Sequence, residues 1–227
     1  DVTVALTFSR LDVAEEDLDD KYVDLILSIA EDYSAQAIIA NEGVFERVKA
    51  DHPGITTIAS LDKVMCELKE DFSVELDYYR ELFSRFDEVV VRCEVAFDEE
   101  MIDALHDVAD RVEIITNQAC WPNCQFCDRH IRSMEAYNVP NPPMEHTHYN
   151  CFYIKDAREF DKRIANSLFI SESRMRYLAE HGIYKFKLAG RNQPAPRLLD
   201  LFGSYIFEPT GIIYDIKNEL ARQWTEL

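Results

Sequence analysis

The run Ala37-Ile-Ile-Ala-Asn-Glu-Gly-Val-Phe-Glu-Arg-Val-Lys-Ala-Asp-His-Pro-Gly-Ile-Thr-Thr-Ile-Ala59 decides the fold class. Ala37 to Ala40 is a short apolar run fit for a strand. Glu42 to Ala50 reads as a helix, which His52-Pro53-Gly54 ends. Ile55 to Ala59 is β-branched and apolar, as a strand should be. Strand, helix and strand with short connections make a parallel crossover unit.

The same alternation extends both ways. Upstream, Val2 to Phe8 reads as a strand. Asp20 to Asp32 reads as a helix, with apolar Val23, Ile26, Leu27, Ile29 and Ala30 at helical spacing. Downstream come a helix over Leu76 to Phe86, a strand over Glu88 to Arg92, a helix over Glu99 to Ala109 and a strand over Val112 to Thr116. A helix over Asp128 to Tyr137 and a proline-broken loop from Val139 to His148 follow. The pattern then gives a short strand at Ser167 to Ile170 and a helix over Glu172 to His181, with Gly182 as its C′ residue. A strand over Tyr184 to Ala189 and a helix over Ala195 to Phe202 complete it. The expected fold is a single α/β domain over residues 1–227, a TIM-barrel-like arrangement of parallel strands with crossover helices. About seven strands are legible where a complete barrel has eight. Either one is hidden in the pattern or an N-terminal β/α unit is missing, and the chain does begin at Asp1 rather than at a methionine.

Composition excludes several classes. Hydrophobic residues make up 47% of the 227 residues and charged residues 30%, the balance of a globular protein. No stretch nears the ~18 apolar residues of a membrane span. No basic-then-apolar leader opens the chain, so a cytoplasmic location is expected. The net charge of -19, from 43 acidic and 24 basic residues, repels phosphate backbones and argues against a nucleic-acid partner. With six glycines in all, glycine-rich phosphate loops are largely excluded, and no Gly-x-Ser-x-Gly elbow or zinc-protease helix is present.

The strand Val112 to Thr116 leads directly into Asn117-Gln-Ala-Cys-Trp-Pro-Asn-Cys-Gln-Phe-Cys-Asp-Arg-His130. Cys120, Cys124 and Cys127 thus sit where a strand ends and a loop begins, the position at which barrel enzymes keep their chemistry. Thiolates are soft donors that favour zinc, copper(I) and iron–sulfur clusters. Structural zinc usually takes two separated Cys/His pairs. A clustered trio with one distant ligand suits a 4Fe–4S cluster, with Cys151 as the natural fourth ligand and zinc as the alternative metal. His146 and His148 precede Cys151 and offer imidazoles or are solvated loop residues. His130 lies about one helical turn past Cys127. Cys93, at the end of the strand before, reads as a cluster neighbour or a buried core thiol, and Cys66 carries no expected role. Lys187, Gly190 and Arg191 close the strand Tyr184 to Ala189. Arg191 would present a guanidinium over the mouth to a carboxylate or phosphate, or form a structural ion pair.

Two resemblances attach to these residues. Cys120-x3-Cys124-x2-Cys127, with Phe126 before the last cysteine, resembles the motif of radical SAM enzymes. There, three cysteines hold a 4Fe–4S cluster whose remaining iron binds S-adenosylmethionine. Here five strands precede the motif, and that family's Gly-Gly-Glu segment has no counterpart. Phe186-Lys-Leu-Ala-Gly-Arg191 resembles the Leu-Lys-Ile-Glu-Gly-Arg signature of the collagenase-like peptidase family, family thirty-two of the peptidases of unknown type, with Ala189 at the signature's glutamate. That resemblance runs from about Glu88 to Phe207. It implies a TIM-like barrel and, as in several members, a 4Fe–4S cluster serving oxygen-independent hydroxylation. On this reading Cys120, Cys124, Cys127 and Cys151 bind the cluster. Arg191, Lys187 and His130 line a pocket for a small anionic substrate, and an electron-donor protein is a partner. A radical SAM-type enzyme, a metal-stabilised interaction module and a peptidase-like protein are the alternatives.

Overall fold

The computed structural model describes residues 3–68, 72–118, 120–124, 126–135 and 167–189. Cys151, His146, His148, Gly190, Arg191 and the expected helix Ala195 to Phe202 lie outside them.

Six strands form one parallel sheet in chain order, β1 (Ala5–Phe8), β2 (Gln36–Ile39), β3 (Thr56–Ala59), β4 (Glu88–Val90), β5 (Val112–Ile115) and β6 (Lys185–Lys187). Sequential order with every pair parallel means that each crossover moves one place in the same direction. The sheet therefore curls into a half-barrel. The helices are α1 (Glu15–Leu18), α2 (Lys21–Asp32), α3 (Glu42–Asp51), α4 (Leu61–Glu67), α5 (Phe72–Arg85), α6 (Glu99–Ala104), α7 (Cys127–Glu135) and α8 (Glu172–Glu180).

The strand-to-helix turns are short because the capping residue follows the strand almost at once. Asn41 accepts the Val44 N–H at 3.1 Å to start α3, and Ser60 accepts the Lys63 N–H at 3.2 Å to start α4. Asp98 and Ser171 cap α6 and α8 in the same way.

Alternation along the strands separates two faces. Ala37, Ile39, Ala59, Val89, Val91, Val112 and Ile114 pack outward against Leu27, Phe45, Val48, Tyr79, Leu82 and Phe86 from the helices. Ile38, Ile58 and Val90 face the other way and form a separate apolar layer with Leu61 and Ile115. In register with that layer, Glu88 lies opposite Ile58, Glu113 opposite Val90 and Lys187 opposite Ile115, and the charges are paired. Lys185 Nζ lies 2.5 Å from Glu88 and Lys187 Nζ lies 3.1 Å from Glu113.

Three expectations change. Ser167 to Ile170 is not a strand of the sheet but a strap across the C-terminal end of β5, with one antiparallel bridge between Asn117 and Phe169. Its apolar side chains are buried at Leu168 and Ile170, which is why the run resembles a strand. The β4 strand stops at Val90, and Cys93–Phe97 turns as a 3₁₀ helix. The helix expected from Glu99 breaks at Leu105 and continues as a 3₁₀ helix over His106–Arg111. Gly182 has φ 89°, the left-handed C′ conformation expected of it, and delivers the chain to β6.

Candidate metal centre

Cys120, Cys124 and Cys127 lie on the connection from β5 to α7, at the C-terminal end of the sheet. Each is half-buried, and none forms a disulfide. The Cys127 N–H donates to the Cys124 carbonyl at 3.0 Å, so the last two cysteines share one tight turn that opens α7. The strap residue Leu168 donates its N–H to the Cys120 carbonyl at 3.1 Å, and Ile170 donates to Thr116 at 2.8 Å. These bonds tie the start of the cysteine loop to the sheet.

The other side of the loop is held by Glu94. Its Oε1 accepts the Asn123 N–H at 3.1 Å and the Arg92 guanidinium at 3.0 Å. Asn123 has φ 51°, a conformation that Asn tolerates better than most residues. The Arg92 side chain also reaches Asn123 Oδ1 at 3.4 Å. Glu94 Oε2 is buried with no hydrogen-bond partner among the described residues. Arg92 is fixed from behind, because its own N–H donates to the Tyr79 hydroxyl at 3.0 Å. Tyr79 donates in turn to Glu75 at 3.0 Å.

The thiols lie within one another's electrostatic reach. Burial first, then the neighbouring Cys120 and Cys124, then Glu94, push the Cys127 thiol up to about 12. Burial, then Glu94, then Cys120 push the Cys93 thiol up in the same way. Both shifts favour the neutral thiol at Cys127 and at Cys93. A thiophilic metal would replace their protons, and it would relieve the repulsion that raises them.

Soft atoms surround the trio. Cys127 Sγ lies 3.8 Å from Met65 Sδ, where α4 meets α7. Among the described residues no group of three His, Cys, Asp or Glu side chains is placed to hold a single metal ion. The donor set, thiols with a thioether alongside, is still the kind that iron–sulfur clusters and zinc select.

The remaining expected site residues are placed as follows. His130 lies on α7, three residues beyond Cys127, and its N–H donates to the Phe126 carbonyl at 2.9 Å. Lys187 is on β6 beside β5, in its ion pair with Glu113. The sequence did not point to Met65, Glu94, Arg92, Gln118 or Leu168. Asn123 alone carried a local signal, as an Asn within a Pro-Asn-Cys turn. Among the described residues no helix is long and apolar enough to cross a membrane. No protein-family model, curated protein or solved structure matches this chain.

Proposed function

We propose that this chain is an iron–sulfur protein that binds a 4Fe–4S cluster at the C-terminal mouth of its parallel sheet. In this reading it is a redox enzyme of the oxygen-independent hydroxylase type, acting on a small anionic substrate. The observation that carries the reading is the trio Cys120, Cys124 and Cys127 on one loop pinned at the end of β5. A four-iron cluster offers a separate iron to each thiolate, so its ligands need not meet at one point as they must around zinc. Such a cluster, when bound, supplies one-electron transfer.

The chain's own residues prepare that place. Leu168 and Glu94 fix the loop from opposite sides, so the thiols are ordered before any metal arrives. The Ile38, Ile58 and Val90 layer closes the floor beneath the mouth against water. Of the expected anion-binding residues, Lys187 is already neutralised by Glu113. Arg191, outside the described residues, and His130 complete the proposed pocket with it.

The test is anaerobic purification followed by iron, sulfide and zinc analysis. About four irons and four sulfides per chain, with visible absorption that bleaches on reduction, are expected. One zinc and no iron would refute the redox reading. It would favour a structural zinc module instead, for which the tight Cys124–Cys127 turn at a helix start is the supporting feature.

A further inference from the structure

A fourth thiol stands at the same mouth on a different strand. Cys93 opens the turn after β4, beside the end of β5, and is 1% exposed. Its Sγ lies 3.3 Å from the Ile115 carbonyl, and it donates to the Gln118 side-chain oxygen. Ile115 and Gln118 are on the segment that runs from β5 to Cys120. The Gln118 amide nitrogen faces Met65 Sδ at 4.0 Å, and Met65 Sδ touches Cys127. One amide side chain thus bridges the space between Cys93 and the Met65–Cys127 pair. Gln118 is neutral and long, and a rotation about its own side-chain bonds would clear that space without moving the sheet.

We propose that Cys93 is the fourth thiolate ligand of the cluster, with Gln118 occupying the ligand's place until iron enters. This rests on the iron–sulfur reading above. Ligation exchanges the Cys93 proton for a sulfur–iron bond, with the proton released to solvent. The ligation step changes no oxidation state, and the core is assembled from sulfide with ferrous and ferric iron in equal parts, which supply its mixed valence. Two strands then share the cluster, β4 through Cys93 and β5 through the trio.

Cys66 provides an internal control. It is buried like Cys93 and adjoins Met65 in sequence. It lies instead within electrostatic reach of Tyr78, a residue of α5.

The experiment loads the full chain anaerobically with sulfide and equal parts of ferrous and ferric iron. Iron content and the electron paramagnetic resonance spectrum are read for the wild type and for Cys93→Ser, Cys66→Ser and Cys151→Ser. After ferricyanide oxidation, Cys93→Ser is expected to hold about three irons rather than four and to show the signal of an oxidised three-iron cluster. Cys66→Ser and Cys151→Ser are expected to keep all four. Full iron and an unaltered spectrum in Cys93→Ser would overturn the inference while leaving the iron–sulfur reading intact, as would loss of one iron in Cys151→Ser. Where Cys93→Ser does not fold, loss of one iron in Cys151→Ser still overturns the inference, and Cys93→Ala, which offers no oxygen ligand, is read for loss of one iron in its place. A wild type that takes up no iron would overturn both.

Discussion

Tyr79→Phe removes one oxygen atom from the fully buried connection between α5 and the mouth of β4. The ring is 0% exposed, and Phe keeps its apolar contacts, so no cavity opens. The oxygen accepts the Arg92 main-chain N–H at 3.0 Å and donates to Glu75 at 3.0 Å. Its loss leaves a buried N–H without an acceptor, which costs about 1–3 kcal/mol, and removes a donor from Glu75. Burial, the largest influence on Glu75, holds its pKa above the ordinary carboxylate value despite that donor and nearby Arg92. The sum expected is about 2–3 kcal/mol, or roughly 4–10 °C in melting temperature for a chain of this size. Thermal and urea unfolding followed by circular dichroism read it directly. The neighbouring Tyr78→Phe is the comparison, since Tyr78 donates to Glu67 at 2.6 Å in a hydrogen bond at the surface. It should cost less than about 1 kcal/mol, because water replaces the lost partner. Equal losses for the two variants, or a shift for Tyr79→Phe within the error of the melt, would refute the claim that the Arg92 N–H depends on this hydroxyl.

Asp87 gives the chain a defined acid sensitivity. Burial raises its pKa, but the Thr57 N–H, Lys49 and the Thr57 hydroxyl together outweigh burial and hold the carboxyl below its ordinary value. A carboxyl whose folded pKa is depressed stabilises the fold above its unfolded value of ~3.9, and that contribution fades as pH falls through the folded value. The melting-temperature advantage of wild type over Asp87→Asn should therefore be full at pH 7 and shrink below about pH 4, and a pH-independent difference would count against the assignment. At the same N-terminal end of the sheet, Gly182→Ala places a Cβ on a residue with φ 89°, 3.2 Å from the Ala109 Cβ. It should cost about 1–2 kcal/mol in urea unfolding, and a neutral result would mean that the turn before β6 relaxes freely.

Strands β2 and β3 coincide with apolar runs in the sequence, because a parallel strand buried on both faces needs little else to announce it, whereas β6, Lys-Phe-Lys, shows only the alternation of a half-buried strand. Helix α4 was illegible because Leu61–Glu67 is short and its apolar pattern is broken by Asp62, Lys63 and Glu67. The Ser167 to Ile170 strap was misread for the opposite reason. Its side chains are buried as a strand's are, but its main chain bonds to Thr116 and Cys120 instead of continuing the ladder. The cysteine trio was legible because its members are close in the chain. Cys93 read only as a cluster neighbour or a buried core thiol, since its relation to Gln118 depends on β4 lying beside β5, and no local period encodes that adjacency. The same holds for the ion pairs Lys185–Glu88 and Lys187–Glu113, which follow only from the register of β6 on β5.

Register mixes charged and apolar side chains on the inner face, since Glu88 lies opposite Ile58, Glu113 opposite Val90 and Lys187 opposite Ile115. Left unpaired there those charges would be costly, and the Lys185–Glu88 and Lys187–Glu113 pairs offset them. At the C-terminal end, loops replace the ladder, and each thiol has a loop free to adjust to a ligand while Leu168 and Glu94 keep the backbone in place. Two of those contacts also carry charge. Glu94 raises both the Cys93 and Cys127 thiols, and Arg92, paired to Glu94, lowers them. The carboxylate that positions the loop therefore also sets the field at the sulfurs.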